Sequence, residues 1–116
     1  MVIKSLKNVD KKPMKMDGVK DVFKQLPIGS ADGTPHFSFR VFTVGPNGHT
    51  PYHRHDSEHV NYIISGNGAI QDENGDLHPV REGDFCLIDP GEKHQYRNLS
   101  DKDELVLICA VMKEYE

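Results

Sequence analysis

The sequence predicts an all-β domain, an antiparallel sandwich or small barrel, and two observations carry that expectation. Short apolar runs alternate with period two rather than 3.6, and clusters of Gly, Pro, Asn and Asp separate them. No stretch of ten or more residues carries an apolar stripe at i, i+3 and i+4, so no helix of consequence is expected. At 116 residues the chain has the size of one domain with one core.

Residues 1–18, with Lys4, Lys7, Lys11, Lys12 and Lys15, Pro13 and the Asp17–Gly18 turn signal, read as an arm lying along a sheet edge or against a second subunit. Residues 19–116 read as the barrel domain. Its strand-like runs are VKDVFKQL, FSFRVFTV, VNYIIS, GAIQD, LHPV, DFCLID, HQYRN and ELVLICAVM. In the second run Phe37, Phe39 and Val41 face one way and Ser38 and Arg40 the other, the pattern of a half-buried strand. Turns are expected at Gly45-Pro46-Asn47-Gly48, Gly66-Asn67-Gly68, Glu73-Asn74-Gly75-Asp76, Glu82-Gly83-Asp84 and Asp89-Pro90-Gly91.

Composition narrows the function classes. A hydrophobic fraction of 36% with 28% charged residues is that of a folding chain. A net charge of −4 offers no basic field for phosphates, so nucleic acid is not expected as a partner. No apolar run approaches the length of a membrane span, and the opening MVIKSLKNVDKK lacks a secretory apolar core, so a cytoplasmic protein without a membrane partner is expected. Cys86 and Cys109 lie in apolar runs, without the spacing of a disulfide framework or a metal knuckle, and read as small core residues. No GxGxxG, P-loop, GxSxG or HExxH motif is present.

The histidines are the chemical signal. There are seven, and His49, His53, His55 and His59 crowd one segment, with His94 following a Pro-Gly turn far along the chain. On an extended backbone His53 and His55 project from one face, and His59 keeps that parity after Asp56-Ser57-Glu58. Neutral imidazole is the commonest protein ligand for first-row transition ions. His53, His55, His59 and His94 are therefore the expected ligands of one divalent transition metal, while His36, His49 and His78 carry no assigned role.

The segment from His53 to Gly66, HRHDSEHVNYIISG, resembles the first cupin motif, HxHx3–4E followed by six residues and Gly. GDFCLIDPGEKHQYRN, from Gly83 to Asn98, resembles the second, with its Pro-Gly turn, His94 and Asn98. The resemblance implies an antiparallel double-stranded β-helix, a cupin or jelly-roll barrel, and a homodimer. It departs from the pattern where His59 stands in place of the usual Glu; Glu58 is one residue early and of the wrong parity. Gly48 also lies one position closer to His53 than the pattern has it. The four-His variant is similar to a subgroup of small single-domain cupins and implies manganese or iron at an oxidoreductase-like centre. An all-nitrogen site also admits Ni, Cu, Zn or Co.

Four neutral ligands leave a divalent ion its full charge and leave positions for a small-molecule substrate or O2, so an anionic or enolisable substrate with apolar parts is expected. By parity with His59, Asn61 and Ile63 are pocket candidates, and Cys109 joins them if Leu105, Leu107, Cys109 and Val111 share the inner face. Tyr62, Phe85 and Tyr96 read as structural aromatics. Asp56 and Glu58 sit in an exposed corner, so no general base is apparent. An O2-dependent oxidoreductase, dioxygenase-like, is the leading reading. A non-catalytic ligand or metal-binding module and a metal-dependent isomerase or lyase are the others.

Overall fold

A computed structural model describes residues 1–116. Nine strands form one antiparallel sheet: β1 Lys12–Pro13, β2 Lys20–Ile28, β3 Phe37–His49, β4 His59–Ser65, β5 Asn67–Gln71, β6 Leu77–Arg81, β7 Phe85–Ile88, β8 Gln95–Asn98 and β9 Leu105–Met112. Their order is β6-β5-β8-β3-β9-β4-β7, with β2 on β3 and β1 on β2. The sheet curls into a half-barrel, and the only helical pieces are 3-10 turns at Leu6–Asn8, Ser30–Asp32 and Lys113–Tyr115. The all-β expectation holds, strand by strand. No helix is long and apolar enough to cross a membrane.

Side chains on the concave face form rows across β3, β9 and β4. Val44 faces Leu105; Phe42, Leu107 and Ile63 form the next row; then Arg40, Cys109 and Asn61; then Ser38, Val111 and His59. The first two rows are apolar and join Val22, Val80 and Tyr96 in the core cluster, where Val44, Ile63 and Leu105 have no exposed surface. Burying one such side chain contributes about 1.5–3 kcal/mol. The next two rows are mixed polar and apolar. One end of the half-barrel is thus a packed core and the other a polar cavity.

Two sequence expectations change. The inward face of the first half of β3 is Ser38 and Arg40, whereas Phe37 and Phe39 point outward and are exposed. Alternation was correctly read, but both faces of β3 carry apolar residues, and parity alone does not say which face is inside. Gly45-Pro46-Asn47-Gly48 is no hairpin turn either: β3 runs through it, pairing with β9 before the kink and with β8 after it. Asn47 takes a left-handed φ of 60° there. Buried Asn98 holds the kink, donating from Nδ2 to Val44 O at 3.0 Å and across the next loop to Asp103 O at 2.7 Å.

The N-terminal arm lies along its own sheet. Lys12 pairs with Lys24 and Pro13 with Phe23. On the convex face, buried Gln25 donates from Nε2 to Leu6 O and Val9 O, both at 3.0 Å.

Candidate metal centre

His53 precedes β4 on an irregular segment, where an isolated bridge ties it to His94: His53 N–H donates to His94 O at 3.1 Å and His94 N–H to His53 O at 3.0 Å. His55 follows on the same segment, and His59 opens β4. Only His59 lies inside a named strand, so the expected pair of imidazoles on a regular strand is instead carried by a bridge and a corner. Ring nitrogens of His53, His55 and His94, one from each, lie within 4.8 Å of one another. His59 joins them through His94, their Nε2 atoms 3.3 Å apart. Ring centroids of His55–His94 stand at 5.0 Å, His53–His55, His55–His59 and His59–His94 at 5.1 Å, and His53–His94 at 5.3 Å.

Three of these rings are fixed from behind. His55 Nδ1 donates to Ser57 O at 2.7 Å, His94 Nδ1 to Glu92 O at 2.8 Å, and His59 Nδ1 to Asn61 Oδ1 at 2.8 Å. A carbonyl oxygen only accepts, so the proton of each neutral ring sits on Nδ1 and each Nε2 presents a lone pair. Asn61 is oriented by its own bonds: Oδ1 also accepts from Tyr96 Oη–H at 2.9 Å, and Nδ2 donates to Ile108 O at 3.5 Å. Burial holds His59 far below the usual imidazole range, at about 3; the Asn61 bond opposes this, and the nearness of His94, His55 and Arg40 adds to it. Burial also lowers His94 and His53. Burial therefore favours the neutral form of His53, His59 and His94.

In those tautomers the contact between His59 Nε2 and His94 Nε2 is lone pair against lone pair, an arrangement that a cation between them would stabilise. Two nitrogens each about 2.1 Å from one ion and a right angle apart would stand about 3 Å from each other, close to what is found. The donor set, neutral imidazoles with hydrogen-bonded outer nitrogens, fits a divalent transition ion.

The centre opens on a cavity of about 340 Å³. All four histidines line it, as do Asn61, Cys109, Leu107 and Tyr96; Met14 and Met16 of the arm and Tyr115 near the C-terminal end complete its walls. Ile63 does not line it; its side chain is fully buried in the core cluster. His49 is outside as well, hydrogen-bonded to Gln95, and His78 pairs with Asp72 on the surface. Tyr62 and Phe85 stack on the convex face, their centroids 4.6 Å apart.

Sequence reasoning missed Arg40 and Lys24, which both line the cavity, and gave Tyr96 only a structural role. Arg40 Nη2 donates to Cys109 Sγ at 2.9 Å, and its guanidinium lies 5.1 Å from the Phe42 ring centre. Parity joins Arg40 to Phe42 and Val44, which continue its face into the core, and so gave no signal that it lines a cavity.

A cupin domain model matches residues 40–111 of the chain. This protein belongs to the cupin family. Over 107 residues the cupin is 28% identical to an oxalate-binding protein of Thermotoga maritima, covering 89% of this chain and 87% of that protein. It is 32% identical over 75 residues to an L-ectoine synthase of Aliivibrio fischeri, covering 63% of this chain and 56% of that protein. Among solved structures, the polyketide cyclase RemF of Streptomyces resistomycificus superposes with a TM-score of 0.90 at 25% identity, over 97% of this chain and 79% of that one.

Proposed function

We propose that His53, His55, His59 and His94 bind one divalent transition metal, Mn or Fe in the working protein, and that this cupin is a metal-dependent oxidoreductase, dioxygenase-like, acting on a small anionic or enolisable compound. The observation that carries the reading is the convergence of four imidazoles on one cavity, three of them with Nδ1 hydrogen-bonded to Ser57 O, Asn61 Oδ1 and Glu92 O. A bound ion of this kind would supply Lewis acidity toward substrate oxygens and, as Mn or Fe, redox chemistry with O2.

The chain's own residues position and shield. Asn61 and Tyr96 hold the His59 ring, while Leu107, Met14 and Met16 supply apolar wall. Burial pushes the Tyr96 phenol well above its ordinary range, so it stays a donor and does not accept protons. No Asp or Glu lines the cavity. That favours redox chemistry over an isomerase or lyase that needs a positioned carboxylate. The relatives named for oxalate and for a polyketide concern oxygen-rich compounds, which supports the substrate class.

The convex face supports a homodimer: Phe39, Val60 and Leu87 are exposed across β3, β4 and β7, and Phe37 and Phe85 extend the patch. Cys86 and Cys109 are free thiols, in keeping with a cytoplasmic setting.

The test is to load metal-free protein separately with Mn, Fe, Ni, Cu and Zn, and to follow O2 consumption and products with small 2-oxo acids, diketones and phenols. Turnover confined to the Mn or Fe form is expected. If small acids bind to every metal form and none is altered, a non-catalytic ligand-binding module replaces the oxidoreductase reading.

A further inference from the structure

The cavity is cationic on a wall that the histidines do not occupy. Arg40 lies on β3, across β9 from β4, in one row with Cys109 and Asn61. Neighbouring strands are about 4.8 Å apart, so its backbone stands about 10 Å from that of Asn61. The guanidinium has no carboxylate partner, and the Lys24 ammonium on the adjoining strand is only partly offset by Glu116. Arg40 makes only weak bonds, to the Cys109 thiol and, at 3.4 Å, to Tyr115 O; its Nε is buried without a partner. Lys24 Nζ donates to Glu116 O at 2.9 Å, while the Glu116 carboxylate is engaged by Ser38 Oγ and Ser30 N–H. A half-buried guanidinium held by a sulfur and a long carbonyl contact is under-neutralised, and a carboxylate is the group its fork fits best.

We infer that Arg40, seconded by Lys24, is an anion subsite facing the histidine centre, and that the ligand is a small compound with oxygen donors at one end and a separate carboxylate at the other. The inference rests on the metal reading for the oxygen-donor end only. Burial, and next the Arg40 guanidinium, hold the Lys24 ammonium below its ordinary range, with Glu116 opposing them in part. The cavity volume, at the low end for ligand sites, limits such a compound to a short chain.

The test compares probes of matched length. Oxaloacetate, 2-oxoglutarate and 2-oxoadipate share a 2-oxo acid end with 2-oxobutyrate, 2-oxovalerate and 2-oxohexanoate, which lack the second carboxylate. Affinities for the Zn-loaded and metal-free protein are measured by calorimetry, with Arg40→Met, Arg40→Lys and the parent protein, each checked for folding by its thermal transition. At least one diacid should bind the Zn form roughly ten- to a hundredfold more tightly than its monoacid partner. Arg40→Met should abolish that preference and leave monoacid affinity unchanged, and Arg40→Lys should restore part of it. Metal-dependent binding that is equal for diacid and monoacid, or indifferent to Arg40, overturns the subsite and leaves the metal reading standing. Diacid binding that needs Arg40 but not the metal keeps the subsite and overturns the metal reading. Absence of binding in every form overturns both.

Discussion

Asn61 is the residue on which the centre's order turns, and replacing it separates metal affinity from stability. It has 1% of its surface exposed, and its Oδ1 serves both His59 Nδ1–H and Tyr96 Oη–H. Asn61→Ala leaves those two donors buried without an acceptor, at about 1–3 kcal/mol each, so a loss of about 2–6 kcal/mol is expected from a total of about 5–15. It also frees the His59 ring to turn or change tautomer, which should lower metal affinity about 10–100-fold. Asn61→Asp keeps the accepting oxygen and adds a negative charge beside His59, so metal affinity should be retained or raised. Its second oxygen would face Ile108 O, where Nδ2 now donates, and stability should still fall. Urea unfolding of the metal-free proteins measures the first quantity, and competition for Zn against a chromogenic chelator the second. The reasoning is refuted if Asn61→Ala binds Zn as tightly as the parent, or if Asn61→Asp loses as much affinity as Asn61→Ala.

Three further outcomes are expected. His59→Ala should reduce metal content of untagged protein severely by elemental analysis, whereas Glu58→Ala, at an exposed position, should leave it unchanged; the reverse result would move the fourth ligand to Glu58. Metal-free protein should lose stability as pH falls, because His59 titrates near 6.5 when unfolded and at about 3 when folded, so the unfolded state binds the extra proton between those values. At pH 5 that amounts to about 2 kcal/mol for His59 alone, with His53 and His94 acting in the same direction, and a flat urea midpoint from pH 7 to 5 would contradict it. Gly66→Ala should cost about 2 kcal/mol or more in thermal or urea unfolding, since φ is 91° and a Cβ would overlap Glu104 O.

Local pattern located the strands because period two is a property of each run by itself. All eight apolar runs named from the sequence contain a strand, and the Pro-Gly turn before His94 is a turn. The Gly-Pro-Asn-Gly segment misled because its residues suit a kink in a long strand as well as a hairpin. Only pairing partners decide between the two: β9 before the kink, β8 after it and Asn98 across it. The histidines stood out for a different reason, their clustering in sequence, although a bridge to His94 and a corner rather than a regular strand bring the rings together.

Arg40 could not be found that way. Its face on β3 continues through Phe42 and Val44 into the core, so hydropathy along the strand does not mark where packing stops and cavity begins. That boundary is set by what the neighbouring strands bring to the same row. Leu107 and Ile63 beside Phe42 make core, while Cys109 and Asn61 beside Arg40 make a polar wall. One step along β4 from Ile63 to Asn61, and from Asn61 to His59, carries the barrel from apolar packing to a hydrogen-bonded amide to a cavity imidazole. The cavity is thus built on the last rows of the same strands that make the core, with Asn61 between the packed Ile63 and the His59 ring. Residues that act at such a boundary are legible only once register is known, because register is a relation between strands distant in the chain and parity belongs to one strand alone.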